Sequence, residues 1–301
     1  MQTRRVGSSG LEVADIGLGA LEWGTRVSAE EAATMLGVYT GSGGSLLELP
    51  PAHLPAADVL GELSVPAGLT VCARVGGHAG LGRAALLGQT RDLLTRTGRE
   101  AIDLLVLDGF DPVTPLEETA SALDTLLTRG DVVHVAVAGA NAWQLACAAG
   151  AGLPVTAVLT EWSLLARGSE DLVEAAEYLG IGVIAGAALG HGVLTGKYAS
   201  RTPADSRAAN DAGRGTSALE DYLGPVARSV VNGVVKAATG LGVTPLDVAL
   251  AWNRSLPVAS SLVAPRTSTQ LEEILRSALV LEPEIREALD QISEPLRLAM
   301  R

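Results

Sequence analysis

Residues 102–145 read IDLLVLDGFDPVTPLEETASALDTLLTRGDVVHVAVAGANAWQL, and this stretch decides the fold. It opens on an apolar run, Asp103 to Asp108, that ends in a carboxylate. Thr114 and Pro115 then supply a helix start, since a proline in the first turn forfeits no hydrogen bond. LEETASALDTLLTRG has helical period and stops at Gly130, and a second apolar run follows at Val132 to Ala138. Two apolar strands joined through a helix by short connections make a βαβ unit. Runs that are apolar on both faces belong to a parallel sheet covered by helices.

Working outward, the same alternation recurs about eight times along the chain. The other candidate strands are Ile16 to Gly19, Ser45 to Glu48, Leu69 to Val75, Val155 to Thr160, Gly182 to Ala185 and Val258 to Val263. Ser28 with Glu31 three residues on predicts a capping box, and Thr244 with Pro245 opens a later helix in the same way. Ahead of the first strand, RRVGSSGLEVADIG predicts a hairpin turning at Ser8-Ser9-Gly10 that closes the bottom of a barrel. The stretch from Ala199 to Gly224 is the one long irregular segment, of the kind that serves as a lid or insertion, and a helical segment follows near Pro225 to Gly240. The expected fold is α/β, a single (β/α)8 TIM barrel over residues 1–301 with an N-terminal β-hairpin and C-terminal helices.

Composition narrows the function. Of 301 residues, 48% are hydrophobic and 19% charged, enough apolar surface for a large core. The net charge of −12 and the lack of a Lys/Arg block argue against nucleic acid and anionic membrane as partners. The expected partner is a small-molecule substrate, with a homo-oligomer left open. The two cysteines, Cys72 and Cys147, are expected to be buried free thiols. Residues 1–17 lack the apolar stretch of a signal peptide, and no run approaches the ~20 apolar residues that span a bilayer, so a cytoplasmic location is expected. No metal-ligand spacing occurs.

Barrels of this type carry their chemistry at the C-terminal ends of the strands. The polar or aromatic residues there are Glu22 and Trp23, Glu48 and His53, Arg74, Asp108 with Phe110, and Glu161 with Trp162. His134 lies within a strand and reads as core. His78 and His191 are loop residues whose partners the sequence does not reveal.

The segments RRVGSSGLEVADIGLGALEWG, the opening stretch above, EWSLLARG, LGIGVIAGAALGHGVLTGKY and APRTSTQLEEIL resemble, in order and spacing, those of the aldo-keto reductases. The resemblance spans essentially the whole chain. It implies carbonyl reduction with NADPH, using a Tyr proton donor, a Lys paired to an Asp, and a His that orients the carbonyl. At those four positions this sequence has Glu48 for the Asp, His53 for the Tyr, Arg74 for the Lys and Asp108 for the His. The residues implied to hold the nicotinamide carboxamide become Ala138, Gly139 and Leu159, while the stacking aromatic is kept in kind as Trp162. The pyrophosphate-binding run becomes Ala187 to His191, and Ala264 replaces a Gly. Arg266, Thr267, Gln270 and Glu273 match residues that hold the adenosine 2′-phosphate and adenine, although Ile274 replaces an Asn. The same residues also read as a capped helix start with Thr267 as N-cap. The cofactor expectation is therefore none, or weakly bound NADP.

Hydride arrival builds negative charge on the carbonyl oxygen, and Asp108 places a like charge nearby. At ~4–5 Å and an effective dielectric near 20 that costs roughly 3–4 kcal/mol. Glu48, His53, Arg74 and Asp108 are thus the expected catalytic residues of a remodelled, non-redox acid–base site, with Glu22, Trp23, Phe110 and Trp162 lining the substrate pocket. Cyclisation, isomerisation or dehydration of a small biosynthetic metabolite is the leading expectation. The alternatives are an NADPH-dependent oxidoreductase with His53 as proton donor, and a catalytically silent NADP-binding sensor or subunit.

Overall fold

A computed structural model describes residues 1–51, 54–197, 222 and 224–299. His53 and most of the irregular segment 199–224 lie outside these. Strands β1 (Thr3–Arg5) and β2 (Glu12–Ala14) pair antiparallel as the expected hairpin. β3 (Ile16–Gly19), β4 (Leu46–Pro51), β5 (Thr70–Gly76), β6 (Ile102–Asp108), β7 (Val132–Ala138), β8 (Val155–Glu161), β9 (Gly182–Gly186) and β10 (Ser260–Val263) close a barrel in the order β10-β3-β4-β5-β6-β7-β8-β9. The helices are α1 (Ala29–Gly41), α2 (Ala56–Gly61), α3 (Arg83–Thr97), α4 (Leu116–Arg129), α5 (Ala142–Gly150), α6 (Glu170–Tyr178), α7 (Pro225–Leu241), α8 (Pro245–Arg254), α9 (Ser268–Arg276) and α10 (Pro283–Ala299).

The described chain divides into two compact units. The first, residues 1–160, 171–184 and 258–275, holds the hairpin, the barrel strands and the helices α1 to α5. Its interior cluster joins Leu46, Cys72, Leu104, Val106, Ala136, Ala157 and Ile184 to Val6 and Val13, so the hairpin's apolar residues complete the floor. Gly7 makes this approach possible. Its φ is +56°, and a Cβ there would lie 2.4 Å from the Gly180 carbonyl oxygen. The second unit, residues 161–170, 185–257 and 276–301, holds α7, α8, α10 and a 3-10 turn at Gly190–Thr195. Within it, Arg167 bonds Glu170, Asp290 and Ser293 and lies 5.1 Å above the Trp252 ring centroid.

Local signals fixed the elements with informative exceptions. Thr244 and Asp247 form a complete capping box. Ser28 accepts from the Glu31 amide, but the Glu31 carboxylate does not return to Ser28; it accepts from the Ser268 amide instead. Thr114 does not cap α4, because its hydroxyl donates to Asp111. Both cysteines are free, as expected, but only Cys72 is buried; Cys147 lies on the solvent side of α5. Among the described residues no single helix is long and apolar enough to cross a membrane. Helices α7 and α8 meet that test only as a pair, and they are bent 102° apart.

Candidate functional site

Side chains alternate along a strand, so residues two apart share a face. Leu46, Cys72 and Val106 belong to the interior cluster, and two positions further along lie Glu48, Arg74 and Asp108. The sheet register sets Glu48 beside Cys72, Arg74 beside Val106, and Asp108 beside Gly76. Three charged side chains thus form the interior layer above an apolar floor.

They are bonded to one another. Arg74 Nε donates to Glu48 Oε1 at 2.7 Å, and Arg74 Nη1 donates to Asp108 Oδ1 at 3.0 Å. Burial pushes the Glu48 carboxyl upward, against the pull of the Arg74 guanidinium; Asp108 adds to the rise. Burial alone would lower Arg74, but Glu48 and then Asp108 more than offset it, and its pKa is raised. The Cys72 thiol, buried below and close to Glu48, is also pushed up. One guanidinium therefore serves two carboxylates, which leaves little positive charge for an incoming oxyanion.

Asp108 also lines a cleft of about 530 Å³ between the loops that follow β5 and β6, together with His78, Phe110 and Glu118. Asp111 ties those two loops together. It accepts from the amides of Leu81 at 2.8 Å and Val113 at 2.9 Å, and from the Thr114 hydroxyl at 2.7 Å. These bonds, the Leu81 amide first, hold its carboxyl well below the usual range. The loop after β6 is thus capped by Asp111 and not by Asp108, which is committed to Arg74. Gly76, at φ +102°, lets the β5 loop turn against Asp108; a Cβ there would meet the Leu81 side chain at 2.6 Å. Phe110 packs edge-on to the exposed Trp143, with ring centroids 5.5 Å apart.

The other sequence candidates fall into separate places. Glu22 pairs with Arg266 at 3.4 Å and with Arg26 at 3.7 Å. Trp23 is fully buried, and its Nε1 has no partner among the described residues. Thr267 is the cap expected of it, accepting from the Gln270 amide at 3.2 Å, while the Gln270 side chain accepts from the Arg266 amide at 2.9 Å. Glu273 is exposed. Trp162 belongs to the second unit, where it is buried and its carbonyl accepts from Asn253. In that unit Glu161 accepts from the Tyr222 hydroxyl at 2.6 Å and lies 3.2 Å from His191 Nε2. His134 is half-buried, and burial lowers its pKa.

His78, which the sequence places only in a loop, is a residue of the cleft. The signal was its place just after the third barrel strand, three residues beyond Val75, and it was obscured because the next loop supplies the opposite wall. Among the described residues no group of three metal-ligating side chains occurs.

At the nicotinamide end, the residues that the resemblance assigns to NADP(H) do not fit it. Ala138 and Leu159 belong to the buried hydrophobic cluster and offer the carboxamide no side-chain hydrogen bond. At the adenine end, Arg266, Thr267 and Gln270 are committed to Glu22 and to one another.

The chain is 27% identical to a probable voltage-gated potassium channel subunit beta of Arabidopsis thaliana, covering 99% of this chain and 98% of that protein. A protein of the same name from Oryza sativa subsp. japonica is 28% identical over the same shares. The aldo-keto reductase str7 of Strobilurus tenacellus is 33% identical over 53% of this chain and 47% of its own length. The sequence profile of the aldo/keto reductase family matches residues 15–294. That span takes in all eight barrel strands and the Glu48–Arg74–Asp108 layer, and the chain belongs to the aldo/keto reductase family.

Proposed function

We propose that this chain is an enzyme that uses the cleft beside Asp108 for acid–base chemistry on a small molecule, without hydride transfer. The observation that carries the reading is Arg74 held between Glu48 and Asp108, with Asp108 at the wall of the cleft. Carbonyl reduction needs positive charge or a proton donor where the oxyanion develops. Here the one guanidinium is already matched by two carboxylates, so the layer supplies a base, and the charge that builds on the substrate oxygen has to be met by a separate acid. Arg74 fixes Asp108 Oδ1, which orients the carboxylate as a base; an imidazole serves as the acid, His78 in the cleft or His53 beyond the described residues. Abstraction of a proton next to a carbonyl, with the acid protonating the enolate oxygen, is the step that isomerisation, dehydration and cyclisation share; they then differ in whether the enol is reprotonated at another carbon, expels a β-hydroxyl as water or attacks an internal electrophile.

The test uses small aldehydes and ketones in D2O without nucleotide, followed by NMR. Enzyme-dependent exchange of α-protons that is lost in Asp108→Asn supports the reading. NADPH-dependent carbonyl reduction by the wild type, with no α-exchange, overturns it. A second reading, a silent oligomeric subunit, is favoured by the end-to-end similarity to proteins named as channel beta subunits. It predicts a stable oligomer by light scattering and no turnover in either assay.

A further inference from the structure

We propose that Glu22 and Glu31 form a carboxylate lock at the start of α9 that excludes the 2′-phosphate of adenine nucleotides from Arg266. The inference does not depend on the acid–base reading, because it concerns what binds and not what reacts.

A phosphate is received by guanidinium groups and by the free amides of a helix's first turn. At this corner of the first unit the chain supplies its own acceptors to those donors. Arg266 Nη2 donates to Glu22 Oε1 at 3.4 Å, and the Arg266 amide donates to the Gln270 side chain at 2.9 Å. The Ser268 amide donates to the Glu31 carboxylate, and the Gln270 amide donates to Thr267 Oγ1 at 3.2 Å. Two of these four acceptors carry a full negative charge. Glu22 is held in place from the other side by Arg26, and its side chain is only 12% exposed. Glu31 sits three residues after the Ser28 N-cap, where its natural partner is the Ser28 amide. Its carboxylate instead reaches a helix start 237 residues away in sequence. An incoming phosphate would have to displace Glu22 and then sit beside two like charges at short range, where repulsion is strong.

The test is direct binding to the full-length chain, by calorimetry and NADPH fluorescence, of NADPH, adenosine 2′,5′-bisphosphate and AMP. Glu22→Gln and Glu31→Gln each keep an accepting oxygen, so they remove charge and leave the hydrogen bond; thermal unfolding checks the fold of each variant. The expected wild-type result is binding too weak to saturate below about 1 mM, with a gain of about tenfold for the double variant. That gain appears for the bisphosphate and NADPH, not for AMP, and Arg266→Met in the double-variant background removes it. Wild-type saturation by NADPH below about 10 µM overturns the proposal, as does a double-variant gain under about threefold. A gain that survives loss of Arg266 overturns it as well.

Discussion

Two regions of the barrel have diverged from the aldo-keto reductase pattern in opposite ways. In the β4–β6 layer the residue types have changed, yet Glu48, Arg74 and Asp108 are bonded to one another, and Asp108 lines a cleft. At the start of α9 the residue types are kept, yet Arg266, Thr267 and Gln270 are spent on contacts within the chain. A retained side chain is open to a ligand only while its neighbours in the chain leave it available. A replaced one can found a new site if the replacements satisfy each other.

The largest effect is expected at Arg74. Arg74→Met leaves two carboxylates in the barrel without their shared cation, and stability measured by urea unfolding should fall by about 3–5 kcal/mol. A loss below about 1 kcal/mol would mean the layer is solvated and not a built unit. Next in size is Asp108→Asn, which keeps the shape and removes the base. α-Proton exchange should fall by about 10²–10⁴-fold, while the urea midpoint moves little. A variant that keeps its activity would move the chemistry away from this layer.

A finer test uses pH, since Glu48 and Asp111 act in opposite senses. Burial raises the folded pKa of Glu48, so its stabilising contribution is full below the ordinary value of about 4.3 and is lost as pH rises through its folded value. Asp111 is depressed, chiefly by the Leu81 amide; its contribution is full above about 3.9 and is lost as pH falls through its folded value. Glu48→Gln should therefore flatten the stability profile on the neutral side and Asp111→Asn on the acid side, in urea midpoints taken from about pH 2 to 8. Parallel shifts in both variants would show that neither contact governs its limb. The smallest effect separates floor from surface. A thiol reagent should label Cys147 in the folded chain and reach Cys72 only on unfolding; equal labelling would place the floor of the layer in contact with water.

The barrel was legible because alternating apolar runs and helix signals recur with little interference, as in residues 102–145. Strand ends were less so. β4 runs on to Pro51 through a register shift between Leu49 and Pro51, which no local propensity announces. Glu48 and Arg74 were readable as polar ends of adjacent strands. Arg74 also grasping Asp108 was not, because it depends on which of two neighbours a long side chain reaches. His78 and the Glu31–Ser268 contact escaped for a related reason: each acquires its meaning from a segment remote in the chain. Thr267 as a helix cap was visible from sequence because capping is local.

Tyr39, on α1, carries its hydroxyl into the seam between the first two barrel strands. There it lies 2.7 Å from the Ile16 carbonyl and 2.9 Å from that of Leu46, and accepts from the Leu46 amide at 3.1 Å. Only two residue pairs register β3 with β4, Leu18 with Leu47 and Gly19 with Glu48, so this phenol acts as an extra rung. Burial raises its pKa to about 12, against about 10 for an exposed phenol. Ionisation would turn a donor into a buried anion facing two carbonyl oxygens. Strong alkali should therefore unzip the cylinder at this seam first, and the part of the tyrosinate absorbance that is missing in Tyr39→Phe would time the opening.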